Sequence, residues 1–478
     1  MANPLFTKKP MSVLMQESDD SGHGLKRTLS KFNLITLGIG AIIGAGIFVL
    51  TGQAAAIYAG PAVSISFIVA GFACAFAGLC YAEFASMIPI AGSAYTYAYA
   101  TMGRLVAWII GWALILEYLF SGSTVAVGWS GYVVNFCDSV GLHIPTSLSS
   151  APLGLDEANN LVFTGSFINL PAVFIVFCVT ILLYRGIKES ASFNNVVVIV
   201  KLTVIIMFIL LGWQYINQDN WHPFIPENTG TFGQFGWSGV MRASSVIFFA
   251  YVGFDAVSTA AQEAKNPQRD MPWGILGSLV ICTIIYIIVS LVMTGIANYT
   301  ELNTSAPIAV AIDKTDLKWF SPMIKIGAIA GLSSVILVML MGQTRIFYSM
   351  ANDGLFFKRF GEIHPKYQTP YFATLVTGGV ALVTSGLLPI GILGELVSFG
   401  TLLAFIIVCL GILILRYNQP ELKRPFKTPL FPVTPILGVL SCLGVMFSLN
   451  TLILAIAMIW LVLGLVVYYF YGRIHAKF

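Results

Sequence analysis

The sequence predicts an all-α membrane protein of about twelve transmembrane helices, arranged as a 5+5 inverted repeat with two appended helices. Three observations carry this reading. Of 478 residues, 57% are hydrophobic and only 10% charged, whereas a soluble domain is about 25% charged. About twelve stretches are apolar over the roughly 20 residues that a helix needs to cross a bilayer core about 30 Å thick. Two of these stretches, five apart, are interrupted in corresponding places, the pattern that discontinuous helices leave in inverted-repeat membrane proteins.

The same composition excludes disorder, collagen and a small disulfide scaffold. A net charge of +4 is too small to argue for a nucleic-acid partner. The seven cysteines lie mostly inside apolar stretches and form no CxxC pair, so they read as packing residues.

The expected spans cover about 34–58, 62–87, 105–135, 168–184, 191–215, 239–262, 273–298, 321–349, 371–389, 394–416, 430–448 and 450–472. Residues 1–32 form a cytoplasmic segment, 33–215 the first repeat, 239–416 the second, and 430–472 the appended pair. The first apolar stretch is too long and too rich in glycine for a cleavable signal peptide. With the loops numbered alternately, twenty Lys and Arg residues fall on the N-terminal side, while the opposite side has Arg242, Lys314, Lys318 and Lys325. The positive-inside rule therefore places both termini in the cytoplasm.

Taken in order, the first span carries glycine at positions 38, 40, 44 and 46. Glycine costs about 1 kcal/mol against alanine inside a helix, which leaves two readings: close helix packing, or an unwound turn. A dinucleotide loop is excluded by the spacing and by the lack of a preceding strand. The sixth span has Gly253 near Asp255 in an apolar run. An unwound turn in a membrane exposes N–H and C=O groups that need partners, and a zwitterion supplies both kinds.

Ionisable groups at membrane depth are costly and functional by default. Here they are Glu83 in the second span, Glu117 in the third, Lys201 in the fifth and Asp255 in the sixth. A structural ion pair is the plainer reading of Glu83 and an alternative for Asp255. Lys201 is about ten residues, or about 15 Å, from either end of its span, too far for its side chain to reach the interface. It must pair with an acid, face water or lose its proton part of the time.

No HExxH, GxSxG or Walker loop occurs, and none of the five histidines is at mid-membrane depth. An enzyme, a receptor and an ATP-driven pump are therefore disfavoured. A channel is disfavoured too, since two broken helices in one chain cannot build a fourfold filter.

The run Gly38 to Phe48, Tyr81-Ala82-Glu83-Phe84, Gly92 to Tyr97, Phe248 to Asp255 and Gln262 to Pro272 together resemble the amino acid, polyamine and organocation superfamily. The nearest resemblance is to the bacterial branch related to cationic amino acid transporters. It extends over about residues 25–472 and implies the leucine-transporter fold and secondary active transport of amino acids. By resemblance, Ile42, Ala45 and Gly46 are the unwound residues of span one; relatives often have Ser or Thr where Ala45 stands. Phe249 matches an aromatic gate, and Ala250 and Val252 the carbonyl-bearing turn. Lys201 matches a lysine that stands in for sodium, which implies proton coupling, with the ammonium bridging acceptors on spans one and eight. Glu117 and Met339 flank the side-chain end of the pocket. Glu263, Lys265, Arg269 and Asp270 match an inner gate. Eukaryotic relatives are longer, so the chain length favours a bacterial plasma membrane.

The expected activity is uptake of small to medium neutral amino acids with protons, with no cofactor beyond the proton gradient. An exchanger or a cationic amino acid carrier of the same fold are the alternatives, and a small single-span membrane partner is left open.

Overall fold

The computed structural model describes residues 7–10, 29–88, 93–155, 161–186, 191–259, 261 and 264–477. Helix lies in every one of the twelve expected stretches, which are numbered below as segments one to twelve. Eight helical runs are long and apolar enough to cross a membrane, and four apolar helices of 10–17 residues accompany them.

Segment one is divided into Lys31–Ile42 and a second helical run over 46–59, with π turns at Gly46–Leu50 and Ala55–Ala59. Segments two to five are Val63–Met87, Arg104–Ser139, Leu170–Arg185 and Ala191–Gly212. Segment six is divided again, into Gly236–Ile247, a 3-10 turn over Phe248–Tyr251, and Ala256–Thr259. Segments seven to twelve are Pro267–Ile296, Ser321–Asn352, Tyr371–Leu387, Ile390–Asn418, Val433–Phe447 and Thr451–Val467.

Segments three, six and ten are the most deeply buried of the long helices. Segment seven packs along segments one and two, and segment three is gripped between eight and ten. On the outer faces the apolar side chains point away from the protein: Phe174 is 60% exposed and Val462 57%. In water such faces would be costly; in hydrocarbon they are the side that meets the solvent.

Buried ion pairs fasten the bundle, two of them between its long helices. Glu83 receives Arg416 Nε at 2.9 Å, the Arg416 Nη2, and the Thr428 N–H at 2.8 Å, with Arg424 Nε 3.3 Å away. Segment two is thereby tied to segment ten and to the connection that follows it, which is the structural reading of Glu83. Arg242 forms a two-point pair with Glu395, whose other partner is the Asn450 N–H at 2.9 Å. Composition alone did not foreshadow three elements: helices Ser93–Thr101 and Pro307–Asp313, and an antiparallel hairpin pairing Leu153 with Phe163 and Leu155 with Leu161. All are too short to register as apolar stretches.

Candidate functional site

The first helix of segment one ends where Ile43 turns to φ −73°, ψ 99°, its N–H still bonded to the Ile39 carbonyl. Around that turn the carbonyls of Gly40, Ile42 and Ile43 are met by side-chain donors. Lys201 Nζ donates to Gly40 O at 2.5 Å and Ile43 O at 2.9 Å. The Tyr286 hydroxyl lies 3.0 Å from Ile42 O. On the other side of the break, the N–H groups of Ala45 and Gly46 donate to no protein acceptor among the described residues. They stand at the positive end of the helix that begins there, a ready position for an anion.

In segment six, the 3-10 turn ends at Val252 with ψ 132°, and the Val252 N–H donates to Phe249 O at 3.1 Å. Gly253 follows with φ +112°, and a Cβ there would stand 2.9 Å from the Ala41 carbonyl oxygen and 3.1 Å from Met339 Cε. Only glycine meets both demands. The two breaks also touch directly, since a Cβ on Gly46 would fall 2.3 Å from Ala250 Cα.

Tyr286, in segment seven, joins them: besides Ile42 O it lies 2.9 Å from Ala250 O. One hydroxyl hydrogen serves one carbonyl at a time, so the pair retains acceptor capacity for another donor. Sequence reasoning missed this residue because a tyrosine in an apolar stretch reads as packing.

The structure gathers Ile42, Ala45, Gly46, Phe249, Ala250, Val252 and Met339 as buried residues. Ala45 packs its Cβ 3.1 Å from the place a Cβ on Gly128 would take. Glu117 is buried beside Asp255 and Thr401 with neither carboxylate oxygen hydrogen-bonded among the described residues, and Asp255 accepts from the Tyr118 hydroxyl at 2.9 Å. Lys201 differs from expectation in one respect. Both of its hydrogen bonds go to segment one, and segment eight meets the lysine stem instead, at Gly331, where a Cβ would be 3.2 Å from Lys201 Cδ. A glycine there leaves room for the stem and offers no side-chain acceptor.

Of the expected inner-gate residues, Glu263 lies outside the described residues. Lys265 and Arg269 are exposed, while Asp270 is buried in the first turn of segment seven. No ion pair links these three among the described residues. A further buried ion pair on that side joins Lys9 to Asp353, at 2.7 Å, and the second Asp353 oxygen accepts from Tyr95 at 2.8 Å. A partner 344 residues away left no trace in the sequence pattern.

The family profile described as Amino acid permease matches residues 29–473. The chain is 44% identical over 478 residues to the branched-chain amino acid permease of Bacillus subtilis, covering 100% of this chain and 99% of that one. It is also 44% identical over 472 residues to the methylthioribose transporter of the same organism, covering 99% and 98% of the two chains. With the vacuolar cationic amino acid transporter 4 of Arabidopsis thaliana it shares 37% identity over 420 residues, 88% of this chain and 68% of that protein. Matched over nearly its whole length, the chain belongs to the amino acid permease family, within the amino acid, polyamine and organocation superfamily.

Proposed function

We propose that the protein takes up neutral amino acids of small to medium size together with protons, by alternating access across a bacterial plasma membrane. One observation carries the reading: two helix breaks in contact, with unpaired N–H groups on one side and under-used carbonyls on the other. The carboxylate of a zwitterion fits the Ala45 and Gly46 N–H groups, and its ammonium fits the carbonyls of Ile42, Phe249, Ala250 and Val252.

Lys201 supplies the proton-linked charge. Protonated, it holds Gly40 and Ile43 by charge-assisted bonds; on losing the proton it releases that hold, and the half helix is free to move. The apolar surroundings given by Ile42, Val252 and Met339 favour a neutral side chain. The placement of the two breaks supports reading 33–215 and 239–416 as inverted repeats, with 430–472 appended and both termini cytoplasmic. Glu263, Lys265, Arg269 and Asp270 then act at the inner mouth in another conformation of the cycle.

The similarity to a methylthioribose transporter supports a second reading, in which the cargo is a neutral thioether sugar. Uptake into proteoliposomes tests both, using labelled alanine, valine, arginine and methylthioribose with and without an inward proton gradient. The proposal requires gradient-driven accumulation of a neutral amino acid into empty vesicles. Uptake only into vesicles preloaded with substrate identifies an exchanger and overturns symport; saturable methylthioribose uptake without amino acid uptake overturns the substrate assignment.

A further inference from the structure

The first turn of segment one, the first half of segment seven and the connection before segment eleven enclose a cavity of about 920 Å³ that involves none of the residues at the two breaks. Its rim carries Lys31 and Arg269, both exposed, and neither has an ion-pair partner among the described residues. The Lys31 ammonium sits 3.6 Å above the Trp273 ring, which fixes the cation at the mouth of the cavity.

Below that rim the lining changes character. Leu276, Val280 and Ile281 are apolar, Val280 is 57% exposed, and the same helix face continues into Ile284, 53% exposed. The cavity is thus a trough with two cations at one end that no acid among the described residues neutralises, and a hydrocarbon-compatible wall running along a helix that crosses the membrane.

We propose that this trough binds an anionic glycerophospholipid from the membrane leaflet on the Lys- and Arg-rich side. The headgroup phosphate meets Lys31 and Arg269, the Trp273 ring lies at headgroup depth, and one acyl chain follows Leu276, Val280 and Ile284. Basic pockets between membrane helices recognise anionic headgroups in this way. Free phosphate would satisfy the cations but make no use of the apolar wall, and a neutral lipid would leave both cations uncompensated. The inference rests on the chain crossing a membrane, and not on its cargo or its coupling ion.

The test measures binding of phosphatidylglycerol, phosphatidylcholine with the same acyl chains, and inorganic phosphate to the full-length protein in detergent, by native mass spectrometry. Phosphatidylglycerol should bind preferentially. An anionic surface attracts each nearby Lys or Arg by about 1 kcal/mol, so K31Q and R269Q should each weaken phosphatidylglycerol about fivefold and the double variant about 30-fold. The control K358Q/R359Q, which removes another exposed basic pair, should have no such effect. Equal affinity for the two lipids, phosphate binding as strong as the lipid, or equal weakening in the control overturns the proposal. If the double variant is not monodisperse, the comparison of lipids on the unaltered chain decides alone.

Discussion

The Lys201 ammonium donates to the Ile43 carbonyl at 2.9 Å, so segment five holds the break in segment one through a side chain. A second bond to Gly40 O makes the lysine a two-point clasp. Replacing it with alanine leaves both carbonyls buried without donors, at about 1–3 kcal/mol each. Lys201→Ala should lower thermal stability and abolish accumulation driven by a pH gradient. Accumulation with the parent's pH dependence would show that the charge is not coupled to transport.

Recognition of both ends of the substrate is tested on the ligand, because the recognising groups are backbone. A methyl ester removes the negative charge that the Ala45 and Gly46 N–H groups would bind, and N-acetylation removes the positive one. Neither derivative should compete for uptake at concentrations where the free amino acid saturates. Strong competition by either would sink the assignment of that end.

Tyr286→Phe removes one oxygen and little else. The ring contacts with Phe67 and Tyr251, at 5.3 and 5.6 Å between centroids, remain available. The carbonyls of Ile42 and Ala250 lose their shared donor, and stability should fall by about 1–3 kcal/mol. Thermal unfolding of purified protein measures it; an unchanged midpoint would mean that other donors already satisfy the two carbonyls.

Gly253→Ala tests whether the break in segment six is imposed by backbone geometry. At φ +112° an alanine is strained, and its Cβ would press on the Ala41 carbonyl oxygen. A loss of about 1–3 kcal/mol and of uptake is expected. Gly444→Ala is the matched control, since a Cβ there meets nothing within 4 Å, and should be neutral or slightly stabilising.

The helices were legible because apolar length is a local property. Every expected stretch contains helix, and both breaks fall at the glycines that announced them. What the sequence concealed is pairing at long range. Glu83 and Arg416 are 333 residues apart, and Arg242 and Glu395 are 153 apart. Lys201 was legible as a buried charge, but its acceptors are carbonyls, which every residue carries, so nothing distinguished Gly40 and Ile43 from an acceptor on segment eight. Tyr286 was hidden for the same reason. The short helix Ser93–Thr101 and the hairpin at 153–163 were missed because neither is long enough to show an apolar period.

Substrate charge is where the family's names point in different directions, and the geometry around Met339 and Glu117 bears on it. The Met339 thioether reaches the break in segment six, with Cε 3.1 Å from the place of a Gly253 Cβ, so it fills space that a long side chain would need. Glu117, the acid expected at that end of the pocket, is buried beside Asp255 and Thr401, and neither of its carboxylate oxygens has a hydrogen-bond partner among the described residues. A guanidinium entering here would be a buried charge, at a cost of several kcal/mol, unless the Glu117 carboxylate turned to meet it. Alanine uptake should therefore exceed arginine uptake in the unaltered protein. Met339→Ser should enlarge the pocket and admit longer side chains, because a flexible thioether is exchanged for a short hydroxyl. Saturable arginine transport exceeding that of alanine in the unaltered protein would overturn the neutral assignment. It would also require Glu117 to turn to the substrate, and Glu117→Gln would then abolish that transport.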